Sequence, residues 1–384
     1  MDMGERRVVV IGAGSAGLAS AAELRRARVP AVVLERSDAI ASAWRGRYDR
    51  LRLNTSRFTS TLPKSRFPSG TALFPARDEM VRYLEAYATR NKLDVRLGTM
   101  VERLDRDDGR WVVRTSIGDM PAEQVIVATG YENRPSIPDW PGRDHFKGRL
   151  LHAADYRNAE AFRDQEVLVV GPGCSGVEIA YDLASDGARR VLLAVRTPPN
   201  IVLRESGGLP GDLPALAMMR LPPRFADAQM KFVRRMSIGD LSEFGLPRPE
   251  EGVFARLRRE GKAPAIVDKE MIDAIKGRQI QVVGGVESLD ETCVQLADGT
   301  RVEPAAIIAA TGYRRGLETL VGHLGVLDDR GIPRARGAEE AAPGLRFIGF
   351  VSRPGAIRYM GSEATRAAKA IALEMRNSPT TLAS

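Results

Sequence analysis

Short apolar runs that stop at glycine punctuate this chain, and they come in two similar sets. Val8-Val9-Val10-Ile11 runs into Gly12, and the alanine-rich stretch from Ser15 to Ala27 has helical composition until Pro30 interrupts it. Ala31-Val32-Val33-Leu34 then reads as a second buried strand and ends on an acid, Glu35. Strand, glycine turn, helix and strand together make a βαβ unit. The same grammar returns at Glu166. Val167 to Val170 leads into Gly171, a helix is expected over roughly Ser175 to Ser185, and Val191 to Val195 is the return strand.

A second echo joins the first. Val125 to Tyr131 and Ala306 to Tyr313 are each an apolar strand that stops at Thr-Gly-Tyr. In a parallel sheet, ligands lie beyond the carboxyl ends of the strands, where a Thr-Gly turn lets the backbone come close. Thr129, Gly130, Thr311 and Gly312 are therefore candidate binding residues. The stretch 198–264 is rich in proline, glycine and arginine and is expected to form loops and short helices that decorate a domain.

Spacing inside the glycine turns supplies chemistry. Gly12, Gly14 and Gly17 form GxGxxG after a strand and before a helix: the first permits the tight turn, the second admits a diphosphate, and the third packs helix on sheet. Glu35, 18 residues after Gly17, is placed to accept hydrogen bonds from ribose hydroxyls. Gly171, Gly173 and Gly176 repeat the fingerprint, but the residue 20 positions after Gly176 is Arg196. A guanidinium there suits a 2′-phosphate, which favours NADPH over NADH. Arg189 and Arg190 read as solvated turn residues, and Cys174 as a small buried one.

At 384 residues and 43% hydrophobic content, the chain has the length at which a core splits in two. The net charge of +8 is carried by arginines interleaved with acids, not by a basic stripe, so nucleic acid is not an expected partner. His145, His152 and His323 have no metal-ligand spacing, and Cys174 and Cys293 form no CxxC pair, so neither a metal site nor a disulfide framework is expected. No stretch approaches the roughly 18 apolar residues of a membrane helix, and Met1 to Arg7 runs straight into the first strand without room for a signal peptide. A cytoplasmic protein is the expectation.

Two dinucleotide sites imply a hydride relay in which a nicotinamide in one domain reduces a flavin in the other. Disulfide reductases share that layout but need a cysteine pair after the first acidic strand. Here the segment Ala39 to Arg45 has none, which leaves O2 or an external acceptor.

The stretch Phe146-x-Gly148-x-x-x-His152-x-x-x-Tyr156 resembles the FxGxxxHxxx motif of the class B flavin monooxygenases, and its final tyrosine resembles the flavin-containing and YUCCA-type branches. Leu34 to Trp44, Tyr48-Asp49-Arg50-Leu51, Tyr83 to Ala88, and Gly349-Phe350 with Gly355 and Gly361 extend the likeness over almost the whole chain. The resemblance implies that FAD is held at the first loop with help from Glu35, Trp44 and Arg45, and that His152 couples the domains. It also implies that Asn54 lies near the reactive flavin carbon, a feature of the flavin-containing branch from which YUCCA-type enzymes differ.

The expected fold is α/β, with two Rossmann-like dinucleotide-binding domains: an FAD domain over 1–145 and 305–384, interrupted by an NADPH domain over 146–304. The expected function is insertion of one oxygen atom from O2 into a small molecule through a C4a-(hydro)peroxyflavin. N- or S-oxygenation and oxidative decarboxylation of a 2-oxo acid both remain open. An NADPH oxidase or flavin reductase, and a non-catalytic nucleotide sensor, are the rival readings. The enzyme is expected to work without membrane, alone or as a homo-oligomer.

Overall fold

The computed structural model describes residues 8–261 and 263–377; the N-terminal run Met1 to Arg7 lies outside the described residues. Ten strands make two central sheets: β1 (Val8–Ile11), β2 (Ala31–Leu34), β3 (Asp94–Arg96), β4 (Gln124–Val127), β5 (Arg149–His152), β6 (Glu166–Val170), β7 (Arg190–Val195), β8 (Ile280–Gly284), β9 (Ala306–Ala309) and β10 (Leu345–Phe347). The first sheet runs β10-β4-β1-β2-β3 and the second β8-β7-β6-β9-β5, with every neighbouring pair parallel. The helices that bear on the site are α1 (Ser15–Arg26), α2 (Cys174–Ser185), α3 (Asp212–Met218), α4 (Pro223–Ser237) and α5 (Ala356–Asn377).

Both sheets are covered on both faces, which is why their strands read as unbroken apolar runs. On the first sheet, Val8, Val10, Val33 and Ile126 pack against α1 and α5, while Val9, Ile11, Val32 and Val127 pack on an antiparallel meander through Leu104, Trp111 and Val113. The second repeats the plan. Val167, Val169 and Leu193 face α2, and Leu168, Val170 and Leu192 face a meander through Leu289, Val294 and Leu296. Each domain is thus three layers: helices, parallel sheet and meander.

One expected boundary needs correction. Strand β9 pairs with β6 on one side and β5 on the other, so it belongs to the second sheet, and a division at 304/305 cuts through that sheet. The chain returns to the first domain only after Ala309. Its two crossings, Arg134–Pro135 and Tyr313–Arg314, pair antiparallel as a short ribbon. The stretch 198–264 holds α3, α4, a helix over Val253–Glu260 and the strand Ile201–Leu203, which pairs with Ala265–Val267. Among the described residues no helix is long and apolar enough to cross a membrane.

Candidate active site

The two glycine turns have nearly the same geometry. Gly12 and Gly171 adopt φ of +104° and +114°, which L side chains rarely adopt. A Cβ at Gly17 or Gly176 would lie 1.8 Å from the carbonyl oxygen of Gly12 or Gly171, so each helix rests directly on its turn. At Gly14 and Gly173 a Cβ would meet nothing within 4 Å. The middle glycines leave room for a ligand at the N-termini of α1 and α2, where backbone N–H groups favour an anion.

Both cradles open on one cavity of about 2250 Å³. A pocket for one drug-sized ligand takes roughly 300–1,000 Å³, so there is room here for more than one. Gly12, Gly14, Glu35, Trp44, Asn54, Thr129, Gly130, His152, Gly171, Gly173, Arg196, Thr311 and Gly312 all line it. Gly17 and Gly176 lie beneath, where helix meets turn. Arg45 stays outside: its guanidinium pairs with Glu85 and its Nε donates to the Ile40 carbonyl at 3.0 Å. Arg47 faces the cavity instead, over the Tyr313 ring and paired with Glu132.

Six buried side-chain polar atoms lack a hydrogen-bond partner among the described residues: Thr129 Oγ1, Asn133 Oδ1, Arg204 Nε, Asp212 Oδ1, Arg315 Nε and Arg353 Nε. All six residues line this cavity. Buried polar groups are normally paired, so a cluster of orphans around one space, beside two glycine cradles, fits residues arranged for polar ligands.

The matches to known proteins agree with this geometry. The family described as pyridine nucleotide-disulphide oxidoreductase matches residues 9–201. Indole-3-pyruvate monooxygenase YUCCA1 of Oryza sativa subsp. japonica is 36% identical over 376 residues, covering 96% of this chain and 92% of that protein. Probable indole-3-pyruvate monooxygenase YUCCA1 of Arabidopsis thaliana is 34% identical over 353 residues, covering 90% and 85%. Among solved structures, a double mutant of a flavin monooxygenase from Stenotrophomonas maltophilia shares the fold at a TM-score of 0.75, with 22% identity over 97% of this chain and 100% of that one. The chain belongs to the flavin-dependent monooxygenase family. As a member of it, the protein is an enzyme whose cofactors are FAD and NADPH.

In this monooxygenase Glu35 is buried at the end of β2, where its Oε2 accepts from the Ala13 N–H at 2.7 Å and its Oε1 from the Ser37 N–H at 3.0 Å. The acid braces the first cradle as well as facing the cavity. Arg196 is exposed at the tip of β7 and makes no hydrogen bond or ion pair among the described residues, leaving its donors free. Arg190, at the opposite end of that strand, bonds Gln281 and Glu166, far from the carboxyl edge.

His152 ends β5. Its Nδ1 accepts from the Ala154 N–H at 3.0 Å, so the ring proton is assigned to Nε2, which donates to the Gly312 carbonyl at 3.0 Å. Burial lowers its pKa, only partly offset by that carbonyl, and the ring is neutral at pH 7. It joins the Phe146–Tyr156 motif to the second Thr-Gly turn and stacks edge-on against Tyr313. The Thr311 hydroxyl donates to the Ser136 carbonyl at 2.5 Å, whereas its counterpart Thr129 is unpaired. Cys174 is half-buried and lines the cavity rather than being fully buried as expected; its Sγ accepts from the Ile266 N–H, and desolvation pushes its thiol up to about 11.

Two interdomain contacts escape sequence reasoning. Tyr48, from the first domain, donates its hydroxyl to Glu178 of α2, and Arg204 pairs with both Glu178 and Asp268. Burial pushes the Glu178 carboxyl up while Arg204 and Tyr48 pull it back. Asp212, at the start of α3, accepts from Ser56 N–H at 3.1 Å, Ser56 Oγ at 2.9 Å and the Thr59 hydroxyl. It thereby fixes the loop that begins at Asn54.

Proposed function

We propose that this enzyme carries out the NADPH- and O2-dependent oxidative decarboxylation of a 2-oxo acid, indole-3-pyruvate or a close arylpyruvate. The substrate class is taken from the full-length relatives named indole-3-pyruvate monooxygenase. What supports the cofactor arrangement is the opening of both glycine cradles and Asn54 on one cavity. The balance is 2-oxo acid, NADPH, H⁺ and O2 giving the acid one carbon shorter, CO2, NADP⁺ and water. The bond between the carboxylate and the 2-oxo carbon breaks, and that carbon gains one oxygen atom.

Bound flavin supplies a hydride acceptor and a site at which O2 is activated. The chain's residues hold and shield it. Gly12, Gly14, Gly17, Glu35, Trp44, Thr129 and Gly130 would hold FAD, and Gly171, Gly173, Gly176, Arg196, Thr311 and Gly312 would hold NADPH. Asn54 would offer a hydrogen bond where oxygen is activated. His152, with its proton fixed on Nε2, would hold the second Thr-Gly turn against the end of β5; both lie in the second domain, so this bond does not itself couple the two domains as the resemblance implies. The unpaired, separated cysteines accord with a place in the reducing cytoplasm.

Purified flavin-loaded enzyme given NADPH and indole-3-pyruvate tests the reading. One CO2 and one indole-3-acetate per NADPH is the expected result. NADPH consumption matched by hydrogen peroxide, with the 2-oxo acid left intact, would instead make the chain an oxidase.

A further inference from the structure

Arg353 stands in the loop between β10 and α5, at the same edge as the first cradle. On the way to it, Gly349 packs so closely on α1 that a Cβ there would come within 2.8 Å of the Ala16 Cβ. The guanidinium lines the cavity with few partners. Its hydrogen bond goes to the thioether of Met219 at 4.0 Å, a weak acceptor, and its Nε is buried and unpaired. Among the described residues no carboxylate forms an ion pair with it. Arg204 and Arg47, which line the same cavity, each have one. The planar face stacks over Tyr359 at 4.2 Å from the ring centroid, which holds the group in place.

The surroundings connect this cation to the proposed oxygenation site. Met219 caps the end of α3, and a Cβ at Gly355 would sit 3.6 Å from Leu216 of that helix and 3.7 Å from Thr59. At its other end, α3 holds Ser56 and Thr59, two and five residues beyond Asn54, through Asp212. Arg353, α3 and the Asn54 loop therefore form one wall. Glu363 lies near enough to act on Arg353 electrostatically but forms no ion pair with it, so the guanidinium keeps hydrogen-bonding capacity for an anionic ligand.

We propose that Arg353 binds the carboxylate of the substrate and so selects organic acids over neutral amines, sulfides and ketones. The proposal rests on the reading above only in taking the acid to be a 2-oxo acid. A guanidinium without an ion-paired carboxylate matches a substrate carboxylate through charge-assisted hydrogen bonding, which places the carbon next to that carboxylate against the same wall as Asn54.

The test compares flavin-loaded wild type, Arg353→Gln and Arg353→Lys. Steady-state rates are measured with indole-3-pyruvate and with NADPH varied, and binding of indole-3-acetate is read from the flavin spectrum. Arg353→Gln should raise KM for the 2-oxo acid and Kd for indole-3-acetate by about 10- to 100-fold, the scale of a lost charge-assisted bond. Its effect on kcat and on KM for NADPH should be smaller, and Arg353→Lys should recover part of the loss. Should Arg353→Gln fail to retain flavin, Arg353→Lys carries the test with a smaller rise. Unchanged acid binding in the variants, or an equal rise in KM for NADPH, overturns the assignment. Weakened indole-3-acetate binding without wild-type turnover of any 2-oxo acid keeps Arg353 as an anion site and removes the decarboxylation reading. Normal turnover with unchanged KM does the reverse.

Discussion

Substituting Gly17 and Gly14 should damage the protein in two different ways, although both belong to one glycine motif. At Gly17 the added methyl of alanine lands 1.8 Å from the Gly12 carbonyl oxygen, about 1.5 Å inside the ~3.3 Å at which a carbon meets such an oxygen. Helix α1 must move off the sheet or the turn must open. Overpacking of this kind costs about 3 kcal/mol, which lowers the apparent Tm by about 6–12 °C in a domain of this size. Gly14 has ordinary extended backbone, φ −88° and ψ −171°, and open space around it. Gly14→Val therefore costs the fold only about 1 kcal/mol as a poorer helix cap, but fills the cradle that a diphosphate needs. The assay is the flavin-to-protein absorbance ratio, together with thermal unfolding of both variants stripped of flavin. Gly14→Val should be colourless with a flavin-free Tm close to wild type, and Gly17→Ala should lose Tm even without flavin. A fully yellow Gly14→Val protein, or a Gly17→Ala protein with unchanged Tm, would refute the division between cradle and packing glycines.

Arg196→Ala should erase most of a preference for NADPH over NADH of about 10- to 100-fold in kcat/KM, because the free guanidinium at the tip of β7 is the cation assigned to the 2′-phosphate; an unchanged preference refers that role to another residue. Asn54→Leu, similar in size and unable to hydrogen-bond, should raise hydrogen peroxide released per NADPH while flavin reduction stays near wild type, measured by peroxide assay and stopped flow. For His152 the folded pKa lies below its ordinary 6.5, so between those values the unfolded state binds more protons and stability falls as pH drops. Wild type should then lose more Tm between pH 8 and pH 5.5 than His152→Gln, and equal losses would remove His152 as the cause.

Both βαβ units and both Thr-Gly turns were legible because their strands are covered on two faces and leave unbroken apolar runs. The near-identity of β4 and β9 misled as well as helped. The repeat put β9 with the first domain, whereas each of the two strands follows the meander of its own domain, and pairing alone shows to which sheet it belongs. The meanders have a weaker signature, short strands with alternating burial such as Arg110–Thr115. Arg45 and Arg47 could not be told apart by resemblance, since the short helical turn over Ser42–Arg45 sends one guanidinium to Glu85 while the other reaches Glu132. Tyr48 and Glu178 are 130 residues apart, and no local pattern marks either as half of an interdomain contact. Arg353 drew no attention in a chain full of arginines; its lack of a carboxylate partner is visible only in three dimensions.

Isotope labelling follows the oxygen atom that passes from O2 to the substrate. Turnover of indole-3-pyruvate with NADPH under ¹⁸O2 should give indole-3-acetate carrying one ¹⁸O atom, detected by mass spectrometry, with one acid formed per NADPH. Indole-3-acetate without label, or label recovered only in hydrogen peroxide, would contradict the account.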